Sequence, residues 1–182
     1  MKYIFASDIH GSYYWLEKLI DKYEASGAAN LVLMGDLLYH GARNDLPGEY
    51  DTKKCTELLN RYSDEIIACK GNCDSEVDQM VLSFPIESRF NLLDLNGIKF
   101  FQTHGHYYSP ENLPPMGTCD AFVFGHIHLP IAEKRGDIYV LNPGSTSIPK
   151  GGNPNSYAVL DENVFTIYDF DDNVLRSVVI SR

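Results

Sequence analysis

The sequence predicts an α/β fold in which two β-sheets pack face to face with helices outside them, carried by one domain over residues 1–182. Three observations lead there. Residues 2–69 alternate apolar strand-like runs with amphipathic helical stretches, a β-α-β-α-β progression that implies parallel strands and right-handed crossovers. The later half is dominated by short strand runs meeting at turn signals, with few helices to cover them. Finally, five polar motifs each follow directly on an apolar run, which is how an α/β fold presents functional residues at strand ends.

Residues 2–7 form the opening buried strand. Gly11-Ser12 then starts a helix with Ser12 as N-cap, and Trp15, Leu16, Leu19, Ile20 and Tyr23 recur at helical spacing until Gly27 ends it. The second strand is 30–34, followed by a loop of turn formers from His40 through Pro47-Gly48. A second helix over 51–63 has Cys55, Leu58, Leu59 and Tyr62 on one face, and the third strand is 65–69. Runs at 90–95 and 98–103 flank Asn96-Gly97, a strong hairpin signal. A Pro-rich stretch (Pro110, Pro114, Pro115) precedes a strand at 121–124. Strands at 131–135 and 138–141 meet at Gly136-Asp137, those at 156–161 and 164–169 meet at Glu162-Asn163, and a last one spans 174–180.

Composition narrows the function classes. Apolar content of 44% and charged content of 22% are those of a globular chain with a sizeable core. A net charge of −10 and a pI near 4.9 argue against a general nucleic-acid or anionic-membrane binder. The four cysteines (Cys55, Cys69, Cys73, Cys119) form no CxxC pair, and Cys69 sits in a strand as a small buried hydrophobe. Met1 and Lys2 run straight into a strand that already carries site residues, and no apolar stretch approaches the roughly 18 residues of a membrane span. A cytoplasmic protein with reduced thiols and no membrane segment is expected.

The five motifs are Asp8-Ile9-His10, Gly35-Asp36, Gly71-Asn72-Cys73-Asp74, His104-Gly105-His106 and Gly125-His126-Ile127-His128. Carboxylates, imidazoles and one amide suit hard or borderline divalent cations and not a structural thiolate zinc site. Asp8-x-His10 and His126-x-His128 each put two donors on one side of an extended segment. The carboxylate of Asp36 has two oxygens and can bridge two ions. Enough donors are present for a pair of cations about 3.5–4 Å apart, with a hydroxide held between them as nucleophile for in-line displacement at phosphorus.

In that order and setting, DIHG, GDLLYHG, GNCD, THGH and GHIHLP resemble the motif series of the calcineurin-like metallophosphoesterases over nearly the whole chain. KGNCDSEVDQM, THGHYYSPENLP and NPGSTSIPKGGNP look most like its small bacterial YfcE-type phosphodiesterase branch. The resemblance implies a four-layer α/β/β/α sandwich of two mixed sheets flanked by helices. It implies one metal on Asp8, His10, Asp36 and His128, and a second on Asp36, Asn72, His104 and His126. Manganese is the favoured ion, with iron, zinc or nickel as alternatives. Asn72, Cys73 and His126 are the candidate catalytic residues. Many relatives carry histidine where Cys73 stands, thought to act as general acid to the leaving group. A thiol of ordinary pKa about 8.5 is a weaker donor to an alkoxide, which tilts the expectation towards phosphodiesters or activated leaving groups.

The reading is thus a metal-dependent hydrolase of small phosphodiesters. The alternatives are a non-catalytic scaffold of the same fold, a nuclease, or a phosphomonoesterase. Each motif alone is weak, but all five in order leave little room for coincidence. His104 is preferred over His106 as ligand, with His106 supporting it from behind. Arg43 and Lys150 lie in loops that reach towards a phosphate as readily as they lie solvated. His40 reads as a solvated loop histidine, Asn142-Pro143-Gly144 as a turn that also shapes the site wall, and Tyr13-Tyr14-Trp15 as helix packing. A homo-oligomer is compatible with the sequence.

Overall fold

In a computed structural model, described over residues 1–181, the first strand already shows how two cores arise. Along β1 (Lys2–Ala6), Tyr3 and Phe5 face one apolar cluster while Ile4 and Ala6 face another, the period-two alternation of a strand buried on both sides. Helix α1 (Tyr13–Ser26) follows, then β2 (Asn30–Leu33), α2 (Thr52–Asn60), β3 (Ile66–Ala68) and α3 (Glu76–Val81). Next come β4 (Phe90–Leu95), β5 (Ile98–Thr103), β6 (Ala121–Val123), β7 (Pro130–Arg135) and β8 (Ile138–Pro143). The chain ends in β9 (Ser156–Asp161), β10 (Val164–Asp169) and β11 (Val174–Val179).

These strands make two mixed sheets, ordered β11-β10-β9-β1-β2-β3 and β4-β5-β6-β8-β7. Strands β1, β2 and β3 run parallel, as do β5, β6 and β8. Between the sheets, Phe5, Val32 and Met34 meet Phe100, Val123 and Leu141, and the Phe5 ring lies 5.7 Å from Phe100 and 5.3 Å from Phe165. Each such fully buried side chain contributes about 1.5–3 kcal/mol, so this layer sets the spacing of the two sheets. The hairpin at Asn96-Gly97 forms as expected, with both residues at positive φ (56° and 79°) and β4 paired antiparallel to β5.

Three local differences from the sequence reading have physical causes. Ser12 occupies the N-cap of α1, but its hydroxyl donates to Gly48 O at 2.6 Å and caps no helix N–H, so it ties down the long loop instead. Helix α3 has no buried side chain and therefore no apolar period to read; a Ser75–Asp78 capping box starts it. Helices were expected outside both sheets, yet the cluster outside the second one (Phe101, Phe122, Phe124, Val140) is packed by Tyr108, Met116 and Cys119 and no helical residue. The prolines at 110, 114 and 115 deny that covering stretch the N–H groups a helix needs. No helix among the described residues is long and apolar enough to cross a membrane.

Candidate metal centre

The motif-bearing strands β1, β2, β3, β5 and β6 all end at one edge of the sandwich, and backbone hydrogen bonds lock their loops together. Asp8 N–H donates to Gly35 O (3.1 Å), His10 N–H to Asp36 O (2.9 Å) and Gly125 N–H to His104 O (2.8 Å). The two sheets are joined where His126 N–H donates to Asp8 Oδ2 at 3.0 Å. Gly125 and Gly71 permit this closeness. A Cβ on Gly125 would collide with the Ser7 side chain and Asp8 Oδ2, and one on Gly71 with the Asp36 carboxylate and backbone N. Five of the candidate ligands themselves sit at left-handed φ: Asp8 56°, His10 51°, Asp36 56°, His126 65° and His128 60°. That conformation costs an ordinary L-residue about 1–2 kcal/mol and collects at functional sites.

Ring orientation follows from what each imidazole's Nδ1 finds. His10 Nδ1–H donates to Tyr39 O (2.8 Å), His104 Nδ1–H to Met34 O (2.6 Å) and His128 Nδ1–H to Ile148 O (2.5 Å). A carbonyl only accepts, so Nδ1 carries the hydrogen and Nε2 is the atom turned inward. There the nitrogens crowd carboxylate oxygens. His128 Nε2 lies 3.2 Å and His10 Nε2 3.7 Å from Asp8 Oδ1, and His10 and His128 Nε2 are 3.4 Å apart. Asp36 Oδ2 lies 3.3 Å from His104 Nε2 and 3.8 Å from His10 Nε2. His126 Nδ1 is 3.3 Å and Asn72 Oδ1 3.0 Å from His104 Nε2.

All seven predicted ligands are therefore brought together. Asp8, His10, Asp36, His104 and His128 are buried, whereas His126 is half-buried and Asn72 exposed. Asp8 Oδ1 is buried with no hydrogen-bond partner, and Asp8/His10/His128 and Asp8/Asp36/His104 form groups whose donor atoms all lie within 4.8 Å. Inward-facing nitrogens around an orphaned carboxylate oxygen are a poor arrangement for protein alone and a good one for divalent cations. The residues fit the group.

Cys73 Sγ also lies within 4.8 Å of donors from His10 and Asp36. Burial, then the Asp36 charge, pushes its thiol up to about 12, so it stays neutral and is a weak ligand. His106 is half-buried with its ring 5.3 Å from that of His104 and an unpartnered Nδ1; burial and the neighbouring imidazoles lower its pKa to about 4. It lines a depression with Lys70, Arg89 and Tyr107 beside the candidate ligands. His40 is half-buried, with its ring 4.8 Å from that of Tyr39 and 5.3 Å from that of Tyr50. Arg43 and Lys150 both line the cleft of about 580 Å³ that holds His10, Asp36, Asn72, Cys73, His126 and His128.

The residue that sequence reasoning passed over is Asp74. Its buried carboxylate accepts from Asp36 N, Leu37 N and Gly71 N, each at 2.8 Å, clamping the loops after β2 and β3. Asn142 does the same for the loop after β6, donating to Gly125 O at 2.8 Å, while Ser145 and Ser147 hydroxyls donate to Asp8 O. The only sequence signal for Asp74 was its place in the GNCD motif.

Without metal, the centre holds an extra proton. Burial alone would lower the His104 pKa, but the Asp36 hydrogen bond and the charges of Asp8 and Asp36 outweigh it and raise it to about 9. Asp36 lies well below the usual carboxylate range for the reciprocal reason, despite burial. A histidine pKa raised from 6.5 stabilises the fold fully below about pH 6.5, and that contribution is lost as pH rises through about 9. The Tm of chelator-treated protein is therefore expected to fall between pH 7 and 9.5. Metal uptake at pH 7.5 is expected to release protons, measurable by titration calorimetry in buffers of different ionisation enthalpy. A flat Tm profile with no proton release would contradict this account.

A model of the calcineurin-like phosphoesterase superfamily domain matches residues 1–164. Phosphodiesterase YfcE of Escherichia coli (strain K12) is 49% identical over 182 residues, covering 100% of this chain and 99% of that protein. The probable metallophosphoesterase YsnB of Bacillus subtilis (strain 168) is 28% identical over 193 residues, covering 98% of this chain and 96% of its own. Among solved structures, YfcE, described as a phosphoesterase from E. coli, superposes with a TM-score of 0.97 over 100% of both chains at 49% identity. Zinc-bound Vps29 from Entamoeba histolytica gives 0.66 over 100% of both chains at 20% identity, a likeness of fold alone.

Proposed function

Because the chain belongs to the calcineurin-like phosphoesterase superfamily, and is a phosphoesterase, we propose that it hydrolyses small phosphodiesters with two divalent metal ions that share Asp36. The observation that carries this reading is the position of Asp36 Oδ2, which faces His104 on one side and His10 on the other at 3.3 and 3.8 Å. Asp8, His10, Asp36 and His128 would hold one ion, and Asp36, Asn72, His104 and His126 the other. When bound, such ions supply charge neutralisation at the phosphoryl group and a water of lowered pKa; manganese suits the oxygen and imidazole donors.

The chain's own groups do the rest. Cys73 N–H donates to Asp36 Oδ1 at 2.8 Å and so fixes the shared carboxylate. Arg43 and Lys150, on the cleft wall, are placed to pair with phosphate oxygens. Asn72 and His126 line the same cleft, where the reacting phosphate would lie. A neutral thiol at Cys73, pushed up to about 12, is a poor acid for an unactivated leaving group. This favours diesters and activated esters over simple monoesters. The net charge of −10 supports a small substrate over nucleic acid. We place the reaction in the cytoplasm, in one domain over 1–182, a placement that four unpaired thiols support.

Chelator-treated protein is expected to regain hydrolysis of an aryl phosphodiester on addition of Mn²⁺, with the matching monoester cleaved at least about tenfold more slowly, and Cys73→His is expected to raise the monoesterase rate. Failure of the metal-loaded protein to cleave any ester in a broad panel would sink the reading. An unchanged monoesterase rate in Cys73→His would sink the leaving-group argument alone.

A further inference from the structure

Beside the cleft lies a second depression of about 550 Å³ between α2 and α3, and Cys73 lines both. Its apolar lining is Leu38, Tyr39, Tyr50, Val77 and Val81, and Lys53, Glu57 and Asp78 line it as well. Helix α3 is unusual in what it exposes: Val77 is 64%, Met80 82% and Val81 46% accessible. Single exposed apolar residues need no explanation, but Val77 and Val81, one helical turn apart and lining a trough whose Tyr39 is also exposed, form with Met80 beside them a patch that does.

The trough is tied to the metal ligands at several points. Tyr39 O accepts from His10 Nδ1 at 2.8 Å, Cys73 N–H donates to Asp36 Oδ1 at 2.8 Å, and Tyr50 bridges to Ser12, two residues beyond His10. The next residue, Asp51, donates its N–H to Gly11 O at 2.9 Å. A surface for docking another protein has no need of such coupling. A pocket that must hold part of a substrate in register with its reacting atom does, because displacements on the order of 1 Å erode the advantage of positioning.

On the reading that the cleft is a phosphodiesterase site, we propose that the trough receives one ester substituent of the substrate, an aromatic or similarly bulky apolar group. The phosphoryl group then lies in the cleft on the other side of Cys73. The charged wall (Arg43, Lys150) faces the phosphate and the apolar wall (Tyr39, Tyr50, Val77, Val81) faces the substituent, so the two cavities divide the recognition of one molecule.

Binding to non-hydrolysable analogues tests this without relying on turnover. Zinc-loaded protein, which is diamagnetic, would be titrated with methyl(2-naphthylmethyl)phosphinate and with dimethylphosphinate, in which both ester bonds are replaced by P–C bonds. We expect the naphthyl analogue to bind at least about tenfold more tightly, as burial of an aromatic ring warrants. Its ring should shift the ¹³C-methyl signals of Val77 and Val81 and leave unmoved those of Leu92, which is exposed on β4 and lines a different depression. Val77→Asp and Val81→Asp should each reduce the preference at least fivefold, and both residues are exposed enough to be replaced without unfolding. Equal affinities in the unaltered protein, a preference that survives both variants, or shifts at Leu92 instead would overturn the proposal. Hydrolysis of diesters without the preference would remove the subsite and keep the enzyme; the preference without any hydrolysis would do the reverse.

Discussion

Replacing Asp36 with alanine is expected to lower kcat/KM towards an aryl phosphodiester by about 10³-fold or more. Metal stabilisation of transition-state charge is worth several kcal/mol, and each 1.4 kcal/mol is a factor of ten. Asp36 is the residue whose loss touches both proposed metal positions, since its Oδ2 faces His104 and His10 together. The fold should persist, because the N–H groups of Asp36 and Leu37 are held by Asp74 and not by the Asp36 side chain. Metal content measured by mass spectrometry should fall in parallel with activity. A variant that kept two ions per chain and activity within tenfold of the parent would refute the shared-carboxylate arrangement. Asp36→Asn separates charge from shape: it can still accept from Cys73 N–H, and it is expected to lose most of the activity because the negative charge is gone.

Asp74→Ala is expected to be the most destabilising single change at the site. It removes the acceptor for three backbone N–H groups, from Asp36, Leu37 and Gly71, at a residue only 5% exposed. Each buried donor left unpaired costs about 1–3 kcal/mol. Water entering the vacated space would satisfy some of them, so a loss of about 3–6 kcal/mol is expected, a large part of the 5–15 kcal/mol that holds an ordinary domain. Urea unfolding followed by far-UV circular dichroism measures it. Asp74→Asn retains one acceptor oxygen and should lose less. A loss below about 1 kcal/mol in the alanine variant would mean that the loops after β2 and β3 are held by something other than this clamp. Activity should fall in both variants, since those loops carry Asp36 and Asn72.

These two residues also show what the sequence could and could not reveal. Asp36 was legible because it follows an unbroken apolar strand and because the other motifs repeat the same grammar. The strands were legible from alternation, and the β4–β5 hairpin from Asn96-Gly97. Asp74 was harder, because a carboxylate that clamps backbone looks the same in sequence as one that holds a metal. Helix α3 was illegible since none of its side chains is buried, leaving no period to detect. The helix-free cover over the second sheet required knowing that Tyr108 and Met116, and not a helix, pack on Phe101 and Phe122. Ser12 was placed correctly at its helix end but misread in purpose, because a hydroxyl's partner is decided by whichever loop passes nearest. His40 likewise took part of its surroundings from Tyr50, a residue that only the fold brings against its ring.

The left-handed backbone at Asp8, His10, Asp36, His126 and His128 bears on how such a chain can change. At each of these positions glycine would be the easier residue, by about 1 kcal/mol or more. Any procedure that ranks substitutions by backbone strain alone is therefore drawn towards erasing the proposed ligand set. Relieving all five would return about 1–2 kcal/mol of backbone cost at each position, set against the hydrogen bonds that the Asp8, Asp36, His10 and His128 side chains make, and would remove the proposed ligands. Thermostabilised variants of this chain should then be sought among surface and loop positions, with those five residues held fixed. A library left free to vary them would be expected to yield well-folded proteins that have stopped being enzymes.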